Sequence, residues 1–170
     1  MCSQWVQREA TLLGGPGKIV EVDEAAFGKR KFNRGKVRKT IWVIGGVERS
    51  QGGVFLEVVP DRTSATLQQV ISKWVEPGTT IITDEWKGYR SLSQSGFKHR
   101  TVCHKLHFVN PQNGAHTQTI EGMWQHVRAL FPLHGGRPSK VQHYLDEFVF
   151  RRNNKDAGVL VLHDIINLIE

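Results

Sequence analysis

Residues 64–84 read SATLQQVISKWVEPGTTIITD. Leu67, Val70, Ile71, Trp74 and Val75 fall at i, i+3, i+4, i+7 and i+8, the single apolar face of an amphipathic helix. Pro77-Gly78 stops that helix. Thr80-Ile81-Ile82-Thr83 then predicts a short buried strand that runs straight into Asp84. Upstream, Lys18 to Phe27 alternates through Ile19, Val20 and Val22 and reaches Asp23-Glu24. Ile41 to Ile44 and Val54 to Val59 read as two more strands, joined by a turn at Ser50-Gln51-Gly52-Gly53. Three strands so close together pair antiparallel, whereas strand, helix, strand implies a crossover and parallel pairing. Downstream, Tyr89 to Ser95 is expected to form a short helix and Arg100 to Leu106 a fifth strand.

From His116 the apolar period becomes helical. Ile120, Met123, Trp124, Val127, Leu130 and Phe131 form one stripe, ended by Pro132 and Gly135-Gly136. Ser139 is placed to cap a second helix bearing Val141, Tyr144, Leu145, Phe148 and Val149. Val159 to Ile169 predicts a third. The expected architecture is α/β: a mixed five-stranded sheet, three strands antiparallel and then two parallel, flanked by helices. It occupies residues 18–170 as one domain after a polar lead-in at 1–17.

The 170 residues, 39% hydrophobic and 23% charged, suit a globular domain rather than a disordered chain. Apolar runs such as Gly158 to Leu162 fall far below the roughly 18 residues of a membrane helix, and the first residues do not read as a signal peptide. Two cysteines, Cys2 and Cys103, cannot build a disulfide framework, so a reducing compartment is expected. The net charge is +7. From Gly28 to Thr40 the chain reads GKRKFNRGKVRKT, with Lys29, Arg30, Lys31, Arg34, Lys36, Arg38 and Lys39 and no acid. Without those seven, basic and acidic groups balance at sixteen each. A basic block so localised is the footprint of a polyanion-binding surface; the plainer alternatives are a solvated hairpin tip or a nuclear-import signal.

Three acids sit where a strand ends or a helix begins: Asp23, Asp84 and Glu121, separated by 60 and 36 residues. If the first and fourth strands are neighbours, the two aspartates converge on one sheet edge and the helix brings Glu121 over them. Converging carboxylates without basic partners call for hard cations, Mg²⁺ or Mn²⁺. Two such ions about 3.5–4 Å apart can activate an attacking oxygen and stabilise the leaving one at a phosphodiester. Taken singly, each acid is equally a turn former, a helix cap or a surface residue. Glu24 and Glu85 compete for the role, but alternation points each to the other face of its strand. Arg128, two turns after Glu121 on nearly the same face, can reach a phosphate in the same groove or stand as an ordinary exposed arginine. His99, Cys103, His104, His107 and His116 fit no standard zinc spacing. Trp86 and Tyr89 are read as packing residues before base-stacking ones.

Five segments occur in order: VDEAAFGKRKFNRG, WVIGGVER, TDEWKGY, HTQTIEGMWQHVR and YLDEFVFRRN. Together they resemble the catalytic domain of the Merlin superfamily of DDE transposases and of related ISXO-like bacterial insertion-sequence transposases, from about Ile19 to Asn154. The resemblance implies a ribonuclease H-like fold, with Asp23, Asp84 and Glu121 as catalytic and metal-binding triad for two Mg²⁺ or Mn²⁺ ions. It implies double-stranded DNA, at transposon ends and target, as substrate, with Arg128 near the DNA and His116 contacting phosphate or orienting a catalytic water. Such enzymes work as dimers or larger assemblies on paired ends, and acting on DNA would place this one in a nucleus, or in the cytoplasm or nucleoid of a bacterium, not outside the cell. Bacterial relatives often read His-Thr-Asn before the glutamate, where this chain has Gln118, and members usually carry an N-terminal zinc ribbon or helix-turn-helix, which residues 1–17 do not suggest. A non-enzymatic DNA-binding protein and a stand-alone nuclease are the alternatives.

Overall fold

The computed structural model describes residues 11–27, 40–103, 114–130 and 140–154. Its strands are β1 (Leu13–Gly14), β2 (Ile19–Phe27), β3 (Ile41–Glu48), β4 (Val54–Val59), β5 (Val75–Glu76), β6 (Thr80–Asp84) and β7 (Lys98–Val102). Its helices are α1 (Ser64–Trp74), α2 (Gln118–Leu130) and α3 (Val141–Asn153). The main sheet has the order β4-β3-β2-β6-β7. β2 runs antiparallel to β3, and β3 to β4. β2 runs parallel to β6, and β6 to β7. This is the expected mixed sheet, with the first and fourth long strands side by side at its centre.

The centre of the sheet is the driest part. Val20, Val22, Val43, Ile44, Ile81 and Ile82 are buried. A strand covered on both faces needs apolar residues at successive positions, which is why Ile81-Ile82 shows no alternation. Along β2, Asp23 shares a face with Glu21, and α2 packs on that side. Glu24 points to the opposite face, where α1 and the segment after β6 lie.

α1 starts where Thr63 accepts from the Thr66 amide, while Asp61 accepts from the Thr63 amide and the Thr63 and Thr66 hydroxyls. It stops at Trp74 rather than Val75, because Val75-Glu76 pair in parallel with Leu13-Gly14. Leu13 joins the core and the Gly15 amide donates to Thr79 Oγ1 at 2.8 Å, so the fold reaches back before the expected boundary at Lys18. The short helix expected at Tyr89–Ser95 is instead two 3₁₀ turns, Lys87–Tyr89 and Leu92–Ser95. A segment this short, interrupted by serines and glycines, cannot repay α-helical nucleation. β7 begins two residues before the expected Arg100. Residues 104–106 of the expected fifth strand, Ser139 and the expected helix at 159–169 lie outside the described residues; α3 begins after Lys140, which makes no side-chain cap bond.

α3 closes the outer edge of β4 with side-chain amides. Asn153 accepts from the Val54 amide at 2.8 Å and donates to the Val54 carbonyl at 2.9 Å. Gln142 accepts from the Val58 amide at 2.8 Å and donates to the Leu56 carbonyl at 3.3 Å. Four backbone groups of the edge strand are thereby satisfied within the chain.

Candidate active site

Asp23 lies in the middle of β2, opposite Gly45 on β3. The β2–β6 pairing runs from Ile19 opposite Thr80 to Glu21 opposite Ile82, so continuing it by two residues sets Asp23 beside Asp84. α2 crosses this face and delivers the Trp124 indole N–H to Asp23 Oδ2 at 3.0 Å. Glu121 is one turn earlier on the same helix and accepts from the Thr117 hydroxyl at 3.0 Å. Asp84 closes β6 and accepts the Trp86 amide at 2.9 Å, an Asx-type turn.

Burial is the main reason the Asp23 carboxyl is raised to about 6. The negative charges of Asp84 and, more weakly, Glu121 push the same way; the Glu24 amide and the Trp124 indole oppose them. The three sequence-selected acids are thus brought within electrostatic reach of one another. They are not closed around a point: among the described residues no three His, Cys, Asp or Glu side chains stand near enough together to enclose one ion. The donor set is nonetheless all oxygen, and the groups acting on the Asp23 carboxyl are two further carboxylates and two hydrogen-bond donors, the Glu24 amide and the Trp124 indole. Such a set fits a hard divalent cation.

Glu24, on the other face as alternation requires, is itself buried. It accepts the Tyr89 hydroxyl at 2.7 Å and stands 3.9 Å from the Arg62 guanidinium. Burial raises its carboxyl to about 7; the Tyr89 bond opposes this, and the charges of Asp23 and Asp84 add to it. Tyr89 is fully buried, the packing residue anticipated from sequence, whereas Trp86 is 40% exposed. Glu85 is exposed.

The sequence reading passed over Glu21, the most completely buried acid of the sheet at 0% exposure. Glu21 Oε1 accepts from Arg49 Nε at 2.6 Å and from the Thr119 hydroxyl at 2.8 Å, and Oε2 accepts the Ile120 amide at 3.0 Å. Arg49 in turn donates to the His116 carbonyl at 2.8 Å. One carboxylate therefore ties β2 to the start of α2, satisfies an orphan helix amide and sits favourably at the positive helix end. Its signal was legible: a glutamate between Val20 and Val22 in a strand buried on both faces needs a partner. His116 belongs to this anchor, its Nδ1 3.4 Å from Glu21 Oε1. Arg128 is exposed near the end of α2. His99 bonds the Thr83 hydroxyl at 2.9 Å, and burial lowers its pKa.

Lys29, Arg30, Lys31, Arg34, Lys36, Arg38 and Lys39, like His104 and His107, lie outside the described residues. Phe27 and Ile41 are paired across β2 and β3, so the basic segment leaves and re-enters the sheet at one place, four residues beyond Asp23.

Gly45 makes the Trp124–Asp23 bond possible. A Cβ there would come within 2.9 Å of the Trp124 ring and 2.8 Å of Leu56. Gly45→Val is expected to push the indole off Asp23 and to destabilise the fold by about 1–3 kcal/mol, the usual cost of overpacking. Chemical denaturation measures this; a variant as stable as the parent would show that Trp124 is not held against Gly45.

A family model described as the ISXO2-like transposase domain matches residues 11–153. An uncharacterized transposase-like protein of Haemophilus influenzae is 32% identical over 104 residues, which is 61% of this chain and 83% of that protein. Among solved structures, the catalytic core domain of BIV integrase superposes with a TM-score of 0.56 at 15% identity, covering 81% of this chain and 84% of that one. The HTLV-2 integrase catalytic core domain, solved in complex with magnesium, superposes with a TM-score of 0.50 at 14% identity, covering 83% and 87%. At these identities the likeness concerns the fold, which is ribonuclease H-like.

Proposed function

We propose that this chain, which belongs to the family of ISXO2-like transposase domains, cuts DNA at transposon ends and joins the freed end to a target, with Asp23, Asp84 and Glu121 holding divalent metal. The observation that carries the reading is the strand register that sets Asp23 beside Asp84 beneath α2, with Asp84 and Glu121 both acting on the Asp23 carboxyl. The five ordered motifs extend the reading to a Merlin-type DDE enzyme. Magnesium in the HTLV-2 core, a protein of the same fold, supports the choice of ion.

Two Mg²⁺ or Mn²⁺ ions, when bound, would neutralise the carboxylates and polarise the phosphate and the attacking oxygen. The chain's own part is positioning. Trp124 orients Asp23, Thr117 orients Glu121 and the Trp86 amide orients Asp84. Water attacks phosphorus in line, and the departing oxygen becomes a 3′-hydroxyl. That hydroxyl then attacks a target phosphodiester, forming one P–O bond as another breaks. No covalent bond to the protein is needed, so catalysis lies in geometry and charge. Arg128 and the basic segment are assigned to DNA, whereas His116, expected there from sequence, is held in the Glu21 anchor; a dimer or larger assembly on paired ends is the working form.

The direct test incubates the protein with labelled duplexes taken from the DNA flanking its gene, with and without Mg²⁺ or Mn²⁺. Metal-dependent nicking at a defined position supports the reading. DNA binding with no cleavage under any metal would reduce the protein to a binding role.

The basic segment gives a second test. Replacing Lys29, Arg30, Lys31 and Arg34 with glutamine is expected to weaken binding of all duplexes alike and to flatten the salt dependence by up to about 3–4 units of slope. Stabilisation by Mn²⁺ should survive. A salt titration that overlays the parent would make the segment a solvated loop or an import signal.

A further inference from the structure

We propose that the indole of Trp86, backed by Arg62, is a stacking platform for an unpaired nucleobase of the strand whose phosphate lies at Asp23 and Asp84; this rests on the DNA-cutting reading above. Among the described residues Trp86 and Leu12 are the only exposed large hydrophobic side chains, at 40% and 51%. Leu12 adjoins β1, whereas Trp86 follows Asp84 by two residues, within about 7 Å of chain. That is about the reach of one nucleotide.

The ring is exposed but not loose. Its amide is held by Asp84 at 2.9 Å and its indole N–H donates to the Arg62 carbonyl at 3.4 Å. The Arg62 guanidinium lies 4.6 Å from the Trp86 ring centroid and 3.8 Å from that of Trp42. A Cβ at Gly88 would come within 2.8 Å of the indole nitrogen, so a glycine is needed beside it. Polar contacts, cation–π packing and a glycine therefore fix an aromatic surface that the core does not use. Arg62 is itself held 3.9 Å from Glu24, the neighbour of Asp23, so the platform is braced on both strands that carry the aspartates.

The chemistry favours a base over a protein partner. A protein interface gathers several apolar side chains, and no second exposed one occurs in residues 60–90. Here a single aromatic is followed by exposed Lys87 and Arg90, and the acids just before it are Glu85, which is exposed, and Asp84, which belongs to the candidate site. An aromatic face interleaved with cations is how proteins hold single-stranded nucleic acid, the ring taking the base and the cations the backbone. A base can reach the ring only if it is unpaired, so the platform selects opened DNA beside the cleavage position.

The test uses two duplexes of arbitrary sequence, each bearing one 2-aminopurine. In one the analogue is unpaired at a fork; in the other it is fully paired. Binding is measured in Ca²⁺. The wild-type chain is expected to prefer the fork by about tenfold and to quench its fluorescence, the scale of one base–aromatic stack. Trp86→Ala should lose both preference and quenching, while keeping its affinity for the paired duplex and its stabilisation by Mn²⁺. Trp86→Tyr should regain most of the quenching although it lacks the indole N–H. If Trp86→Ala keeps the preference and the quenching, or if Trp86→Tyr behaves as Trp86→Ala does, Trp86 is only a strut for Arg62 and the proposal falls. If the wild-type chain binds neither duplex, the DNA reading falls with it; binding of both without preference overturns the platform alone.

Discussion

Asparagine in place of Asp84 is expected to lower metal-dependent DNA cleavage by about a thousandfold or more, since several kcal/mol of transition-state stabilisation depend on metal held there. Asp23→Asn and Glu121→Gln should do the same. Each replacement keeps shape and removes charge, so the proteins should melt cooperatively. Asp23→Asn should go further and stabilise the metal-free protein. Its carboxyl is raised to about 6 in the folded state, so folding opposes its ionisation. The group costs no stability below its unfolded pKa; the cost grows as pH rises from there to about 6 and is fully present above it. Two units correspond to at most about 3 kcal/mol at neutral pH. The metal-free parent should therefore gain stability relative to Asp23→Asn as pH falls from 8 to 5, and Mn²⁺ should raise the parent's melting temperature while leaving the variant's nearly unmoved. Near-parental cleavage by any of the three amides would remove that residue from the triad. Parallel pH profiles for parent and Asp23→Asn would deny the buried charge.

Glu21→Ala is expected to be the most damaging single change to the fold among the acids. It strips Arg49 of its buried partner, leaves the Ile120 amide and the Thr119 hydroxyl unpaired and detaches the start of α2 from β2. Breaking a buried, hydrogen-bonded ion pair from one side costs about 3–5 kcal/mol, or roughly 10 °C in melting temperature for a chain of this length. Glu21→Gln keeps one acceptor oxygen but turns an NH2 toward the donors on the other side, so it should lose less than the alanine variant without matching the parent. Because α2 carries both Glu121 and Trp124, the loss should also weaken Mn²⁺ stabilisation beyond what instability explains, measured at a temperature where the variant is still folded. An unaltered melting curve for Glu21→Ala would mean that Arg49 and the helix amides find other partners.

The sheet was legible because its two strand types leave different traces. Ile81-Ile82 beside a helix-length apolar stripe told of a parallel strand buried on both faces, and the short turn at 50–53 told of antiparallel pairing. The acids Asp84 and Glu121 stood out through their place at element ends; Asp23, expected where its strand ends, sits mid-strand because β2 runs on to Phe27, and the five-motif resemblance singled it out. Spacing alone left each of the three a plausible cap or surface residue. Pleat alternation also assigned Glu24 to the far face correctly. What stayed hidden depends on contacts between distant segments. Val75-Glu76 looked like the end of a helix because their partners, Leu13-Gly14, lie more than sixty residues away. Glu21 and Thr119 meet across 98 residues, and nothing local in either marks the meeting. Trp86 and Tyr89 carry the same sequence signal for aromatic packing, yet one is swallowed by the core while the other stays in solvent.

The seam between Asn153, Gln142 and β4 bears on where this protein can be cut and where copies of it can meet. The last described helix supplies what a further strand would otherwise supply, so two copies cannot join by continuing one sheet across β4 while α3 stays seated. Any assembly of copies must use other surfaces. A fragment stopped before Lys140 would lose the amides of both Gln142 and Asn153 at once, baring the Val54 and Val58 amides on an apolar strand. Such a strand recruits its neighbours. The expected outcome of that truncation is precipitate rather than a smaller catalytic core, and the shortest fragment worth expressing ends at or beyond Asn154.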